Sequence, residues 1–442
     1  MPKRKASRMP SGYVTNPLDR DAGDAEFDAV IGAAHTALTD DQVIEFVEES
    51  LQPLDLDGRS VCIVVPDGTR SCPMPLLLDA IHRCLHGRVS RMTALVALGT
   101  HAPMSEPELA EWLGYPVGRL DDRYPGLTVL NHEWHDPRTF VDLGTIPANR
   151  VAELSDGRMS SAVDVTLNRA VAEHDIALVV GPVFPHEVVG FSGGNKYFFP
   201  GVAGQEIIDL SHWLGALITS ATIIGTRGTT PVRALIDEAA ALIPAQRLAL
   251  CVVVQTGSVA LHAAAFGTPE RAWAAAADIS ALTHVRYLHE PVHRVLSLMP
   301  RRYDDIWTAA KGFYKVEPVI ADGGEVVIYA PHITEIAPMH PEINRIGYHC
   351  RDYFLKQWDD FQDIHWSVLA HSTHLRGAGT WDATNGEHDR VRVTLATGIP
   401  EAVVRSVNLG YLDPASIDIP GYEADPDTLV VPDAGEVLYR LR

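Results

Sequence analysis

Short apolar, β-branched runs alternate with helical stretches along this chain, and that alternation predicts an α/β fold with mostly parallel sheets. Two further observations set its scale. The 442 residues exceed what one hydrophobic core usually serves, so two α/β domains are expected. No run approaches the roughly 18 uninterrupted apolar residues of a membrane helix. With 46% hydrophobic and 21% charged residues, the chain has the composition of a soluble globular protein.

The elements follow in order. Ser60–Pro66 (SVCIVVP) reads as a buried strand, and Asp67-Gly-Thr-Arg70 as the turn after it. Residues 76–85 read as a helix, with Pro73 and Pro75 near its start. Residues 92–98 form a second strand that ends at Gly99-Thr100-His101. Ser105-Glu-Pro-Glu108 has the pattern of a capping box, and Gly114 suits the end of that helix. Residues 127–130 and 176–180 read as strands, 168–173 and 205–217 as helices, and 248–254 as another strand. The Ala-rich residues 269–288 are expected to form one helix capped by Thr268. Residues 294–298, 325–329 and 391–395 are further strands. The domain boundary is placed near 287–293. This gives domains 1–288 and 289–442, with the active site in the cleft between them.

The formal net charge of −21 argues against nucleic acid as a partner, because phosphate binding wants a basic surface. An anionic substrate would have to be drawn by local cations, not by the global field. Five scattered cysteines with no C-x-x-C pair suit a reducing cytoplasm. The basic start at residues 1–6 has no apolar run behind it and reads as a loose tail.

In open parallel sheets, ligands bind outside the carboxyl ends of strands. The polar clusters sit there: 67–70, 99–101 and 181–196. The densest is GPVFPHEVVGFSGGNKYFFPGVAGQEIIDLSHWL, from Gly181 to Leu214. Its Gly190–Lys196 portion leaves backbone N–H groups free to face an anion. It is not a P-loop, since Asn195 and Tyr197 flank Lys196. On composition alone the lesser alternative is a tight glycine turn with an exposed lysine. His186 and His212, ten residues before and sixteen after Lys196, favour a functional reading. Taken alone, His101 reads as a strand-end histidine satisfied by a neighbour. His132 and His135 form H-x-x-H with no third ligand fixed, and read as structural. His284, His289 and His293 are expected on the polar surface. No serine triad and no G-x-G-x-x-G fingerprint is evident.

The chain resembles lactate racemase and its homologues, the nickel-pincer-nucleotide enzymes. DGTR at 67–70, GTH at 99–101, PHEVVGFSGGNKYFFPGV at 185–202 and His212 carry the resemblance. It is strong to about Leu217 and looser beyond. It implies that Lys196 forms a thioamide with the cofactor and that His212 is the protein's ligand to nickel. It also implies cofactor contacts at Asp67, Thr69, Gly193 and Gly194. By the same resemblance His101 and His186 are the acid–base pair, and Arg70 holds the substrate carboxylate with Lys311 nearby. Where the lactate enzyme has a glutamine beside the substrate, this chain has Thr308. The pocket therefore differs, and a 2-hydroxy acid other than lactate is expected. Trp307, Phe313, Tyr314 and Trp366 are candidates to border that space.

The implied reaction is inversion at C2 by proton-coupled hydride transfer, with maturation enzymes for the nickel pincer nucleotide as partners. Histidine suits both acid–base roles, because its unperturbed pKa of about 6.5 lets it accept and return a proton near neutrality. Two other readings stand beside this one. One is another metal-dependent enzyme, such as a zinc-type hydrolase, and the other is a carrier that binds the nucleotide without turnover.

Overall fold

The computed structural model describes residues 29–442. The basic segment at 1–6 lies outside the described residues.

A seven-stranded sheet organises the first part of the chain. Its strands are β1 (Ala29–Gly32), β2 (Ser60–Pro66), β3 (Arg91–Ala97), β4 (Leu127–Asn131), β5 (Ile176–Pro182), β6 (Gln246–Val254) and β7 (Leu261–Gly267). They lie in the order β1-β7-β6-β5-β2-β3-β4. The run from β6 to β4 is parallel, while β7 and β1 add an antiparallel edge. Every residue of β2 and β5 is buried, which explains why both read as unbroken apolar runs. Helix α1 (Asp40–Leu51) carries Val43, Phe46, Val47 and Leu51 into the core beside α2 (Met74–Leu85). α3 (Glu106–Leu113) begins with the expected capping box: the Glu108 carboxylate accepts from the Ser105 N–H and hydroxyl, both at 2.6 Å. It ends on Gly114 in the left-handed conformation, φ 79°.

A second sheet comprises β9 (Val292–Leu298), β10 (Ile320–Ala330), β11 (Arg392–Thr397), β12 (Gly410–Tyr411) and β13 (Thr428–Val431). Its order is β12-β11-β10-β9-β13, and every pair is parallel. The overall architecture is mixed α/β with mostly parallel sheets, as the alternation of elements predicts.

The Ala-rich stretch departs from its expected extent. Its helix, α6 (Pro269–His284), is capped by Thr268, whose hydroxyl accepts from the Arg271 N–H. It stops four residues early. Val285–Leu288, rich in β-branched and aromatic side chains, is instead strand β8 and pairs in parallel with β14 (Leu438–Leu441). His284 also departs from expectation: it is fully buried, with its ring 4.7 Å from that of Phe184 and Nδ1 2.9 Å from Ser280 Oγ. Burial pushes its pKa down to about 3. His289 and His293 are exposed as expected. No helix among the described residues is long and apolar enough to cross a membrane.

Candidate active site

Strand order places the site. β2, β3 and β4 succeed one another outward on one side, whereas β5 and β6 lie on the other side of β2. The order therefore reverses between β2 and β5, and a crevice opens beyond the strand ends at such a switch. The three polar clusters leave β2, β3 and β5, which are adjacent strands. They share one cavity of about 1040 Å³, its open mouth included. Arg70, His101, His186, Lys196 and His212 line it from the first part of the chain, and Trp307, Lys311, Tyr314, His371 and His374 from the second.

The turn after β2 is fixed by Asp67. Its Oδ1 accepts from the Thr69 N–H (3.1 Å) and hydroxyl (2.6 Å), and its Oδ2 lies 2.5 Å from His101 Nδ1. β2 and β3 run in register from Ser60↔Arg91 to Pro66↔Ala97, so their ends are level and this pair can form. Burial opposes ionisation of Asp67, but His101, Thr69 and Arg70 outweigh it and hold the carboxyl well below its usual range. An ionised Asp67 keeps the proton of His101 on Nδ1, which leaves Nε2 bare as a base. Thr69 is not itself part of the cavity wall.

His186 has the opposite tautomer. Its Nδ1 accepts from the Val188 N–H at 3.2 Å, so in the neutral ring the proton is on Nε2. Burial, together with the nearby Lys196 and Arg70, keeps its pKa well below the ordinary value. The two histidines thus start as an acceptor and a donor.

The loop to Lys196 is held from beneath. Arg233, 1% exposed, donates to the Gly193 carbonyl (3.0 Å) and the Phe191 carbonyl (2.5 Å) and lies over the Trp273 ring. Asn195 donates to Asp237 and Glu270 and accepts from Arg247. Gly193 (φ 92°) lines the cavity, and a Cβ there would lie 2.6 Å from Val183 Cγ2. Gly194 packs against Trp273, behind the wall. Among the described residues no partner holds the Lys196 amine. Burial, with help from Arg70, lowers its pKa to about 7, so much of it is neutral and nucleophilic near neutrality.

His212 faces the same cavity from α4 (Gln205–Ile218). Its Nδ1 lies 2.7 Å from the Ile208 carbonyl, an arrangement that leaves Nε2 as the free donor atom for a metal. No group of three or more His, Cys, Asp or Glu poised for a metal exists among the described residues. A metal at His212 would need most of its donors from a cofactor. The expected structural role of His132 agrees with its bonds to Asn168 (3.0 Å) and the Ala203 carbonyl (3.2 Å) in a fully buried setting.

The second part of the chain adds Lys311, whose Nζ donates to the Thr308 carbonyl (3.1 Å) and sits 4.9 Å from the Tyr303 ring centroid. Burial lowers its pKa to about 8. Thr308 itself is a correction. It is absent from the wall; its hydroxyl donates to Asp305 Oδ1 at 2.7 Å, and the same carboxylate caps the short turn by accepting from the Thr308 N–H at 2.8 Å. Trp307, its neighbour, takes the lining position. Of the other aromatic candidates, Tyr314 lines the cavity, while Phe313 and Trp366 do not. Sequence reasoning missed Glu187, His371 and His374, which all line the cavity. Glu187 is visible beside His186, but nothing in the sequence ties residues 371 and 374 to the site.

The profile described as lactate racemase N-terminal domain matches residues 41–223, the stretch that supplies this rim. A protein of Thermotoga maritima, known from its crystal structure, is 33% identical; the match covers 92% of this chain and 99% of that one, with a TM-score of 0.85. Residues 41–223 place this part of the chain in the lactate racemase family. Within that family, the lactate racemase of Lactiplantibacillus plantarum is 25% identical over 186 residues, 40% of this chain and 39% of its own length. That of Thermoanaerobacterium thermosaccharolyticum is 26% identical over 166 residues, 37% and 34% of the two chains. These matches span little more than a third of each relative. The lactate racemase apoprotein from the latter organism shares the fold: TM-score 0.69, 19% identity, 92% and 94% coverage.

Proposed function

We propose that the chain is a racemase or epimerase of a 2-hydroxy acid, with a nickel pincer nucleotide held by Lys196 and His212. The observation that carries this reading is the gathering of the Lys196 amine, the imidazoles of His101, His186 and His212, and the cations Arg70 and Lys311 on one cavity. The residues suit the group: an unpartnered lysine of lowered pKa to bond it, a histidine with one free nitrogen to ligate its metal, and a glycine wall to lie against. When bound, it supplies the acceptor for the hydrogen on C2.

The chain's own groups supply orientation and proton movement. Arg70 and Lys311 receive the substrate carboxylate, Arg70 with a planar fork suited to it. His101 Nε2 takes the hydroxyl proton of one enantiomer, and the ionised Asp67 stabilises the imidazolium that forms. His186 serves the other enantiomer, first as a donor from Nε2 and then as an acceptor. The proton returns to the substrate oxygen once C2 has been reset from its opposite face. We take residues 1–288 and 289–442 as the two domains, the cavity as the cleft between them, and maturation enzymes for the nucleotide as partners.

A zinc-type hydrolase would need a protein ligand set, which the described residues do not offer. A carrier would have no use for the Asp67–His101 pair. The test is protein produced with the cofactor's maturation enzymes, followed by peptide mass spectrometry and metal analysis. The adduct is expected on the Lys196 peptide, with nickel lost from His212→Ala. Unmodified Lys196 in active, nickel-loaded protein would overturn the tether, and full nickel in His212→Ala would overturn the ligand.

A further inference from the structure

Facing the strand-end rim is helix α8 (Trp366–Arg376), which presents His371 and His374, three residues apart and so on one face. The residues are 8% and 4% exposed, and the Nε2 atom of each is buried without a hydrogen-bond partner among the described residues. Both positions are held firmly. The His371 ring stacks on Trp307 at 3.8 Å, and Trp307 stacks at the same distance on His340. His374 Nδ1 lies 2.5 Å from the Ser220 hydroxyl. Ser367, on the same helix, lines the cavity too, but its hydroxyl is bound to Asp209 at 2.7 Å.

Two orphaned nitrogens on one wall of a substrate cavity call for partners that a ligand brings. An apolar substrate side chain would seal them in without bonds, and a site built to bond hydroxyls rejects analogues that lack them. A second carboxylate is also disfavoured. Burial keeps both rings uncharged near neutrality. Glu187 in the same cavity is held below the ordinary carboxylate range: burial opposes this, but a backbone N–H and the cations Lys311 and Lys315 outweigh it, so it would repel an anion.

Resting on the racemase reading above, we propose that the substrate is an aldonic acid, a 2-hydroxy acid whose remaining chain carries hydroxyl groups. His371 and His374 bond those hydroxyls through Nε2, with Glu187 as a further acceptor. The carboxylate goes to Arg70 and Lys311, as for any 2-hydroxy acid. Inversion at C2 leaves the other stereocentres untouched, so the reaction is an epimerisation with no net oxidation.

The test is a panel assayed with cofactor-loaded enzyme: erythronate and gluconate against 2-hydroxybutyrate, malate and phenyllactate. The best aldonate is expected to exceed 2-hydroxybutyrate in kcat/KM by about 100-fold or more. His371→Phe keeps a ring against Trp307 and removes the nitrogen. It should cut the aldonate-to-hydroxybutyrate ratio about 10-fold or more while nickel content holds. A preference for 2-hydroxybutyrate, malate or phenyllactate overturns the proposal and leaves the racemase reading standing. Loss of nickel from His371→Phe overturns it as well, since the wall would then serve the cofactor. Failure of every 2-hydroxy acid to turn over overturns the racemase reading. Calorimetric binding to the same loaded enzyme then decides the wall: aldonate bound more tightly than 2-hydroxybutyrate, and less so in His371→Phe, supports it, and equal affinities overturn it.

Discussion

The two walls of the cavity are built by different means. One is a rim of loops leaving the adjacent parallel strands β5, β2 and β3, braced by short bonds between neighbouring strand ends, such as Asp67 to His101. The other is a set of short helical turns and α8, whose side chains are fixed by ring stacking and by contacts distant in sequence. On the proposed reading, the first wall carries the groups that act on C2, and the second carries groups that meet the rest of the substrate. On that reading, chemistry stands on the ends of a continuous sheet, and selectivity stands on a buried helix packed across from it.

The largest effect should come from the first wall. Asp67→Asn removes the charge that fixes the His101 tautomer while keeping the volume. Turnover should fall about 10²- to 10⁴-fold. The double variant with His101→Ala should be little worse than His101→Ala alone, because the two act as one unit. Steady-state rates in both directions check this, and additive losses would show that Asp67 does not work through His101.

A middle-sized effect compares the walls through stability. Lys196, with a pKa of about 7, belongs to the first; Lys311, at about 8, belongs to the second, and Lys315, at about 7, ends the turn that carries Lys311 without lining the cavity. Burial lowers all three in the folded chain, so between these values and about 10.4 the unfolded chain binds more protons. Stability should therefore rise as pH increases from about 7 to about 8.5, above which the five buried cysteines, whose thiols burial pushes up, oppose the climb. The Tm of the cofactor-free protein should climb over that range, and Lys315→Met should flatten the climb. A Tm that falls steadily over the same range in the wild type would break the comparison.

The smallest effect is expected at Thr308. Thr308→Val removes a hydroxyl bonded to Asp305 and should cost about 0.5–1.5 kcal/mol of stability. Substrate preference should not move, because the side chain stands off the wall. A changed preference in the same panel of acids would return Thr308 to the pocket.

The difference between the walls also explains how much of the site is legible in the amino-acid sequence. Strands β2, β3 and β5 announce themselves as apolar runs with polar carboxyl ends, so the sequence alone allows Arg70, His101, His186 and Lys196 to converge, and the strand order brings them together. Lys311 and Thr308 are placed only by resemblance, and Thr308 wrongly, since one residue along a helical turn rotates a side chain by about 100°. His371 and His374 sit on a helix with little amphipathic pattern, nearly every residue of it buried, so no periodicity marks a cavity face. The early end of α6 is hidden for a related reason. Alanines favour helix, but strand β14 recruits Val285–Leu288, and no local signal reports a partner so far along the chain.

The stretch that ends in β14 has a consequence in time. The carbonyl of Glu436 accepts from Lys315, which also donates to the Pro185 carbonyl, next to His186. The carboxylate of Glu436 accepts from the Ser71 N–H at 3.2 Å, beside Arg70 and 365 residues away. Closing loops of that length costs entropy that only later contacts repay, so such bonds form late in folding. Arg70 and His186 are therefore expected to acquire their final settings after the contacts local to each have formed. A chain caught before that stage would already own the Lys196 loop, yet lack a finished chamber around it.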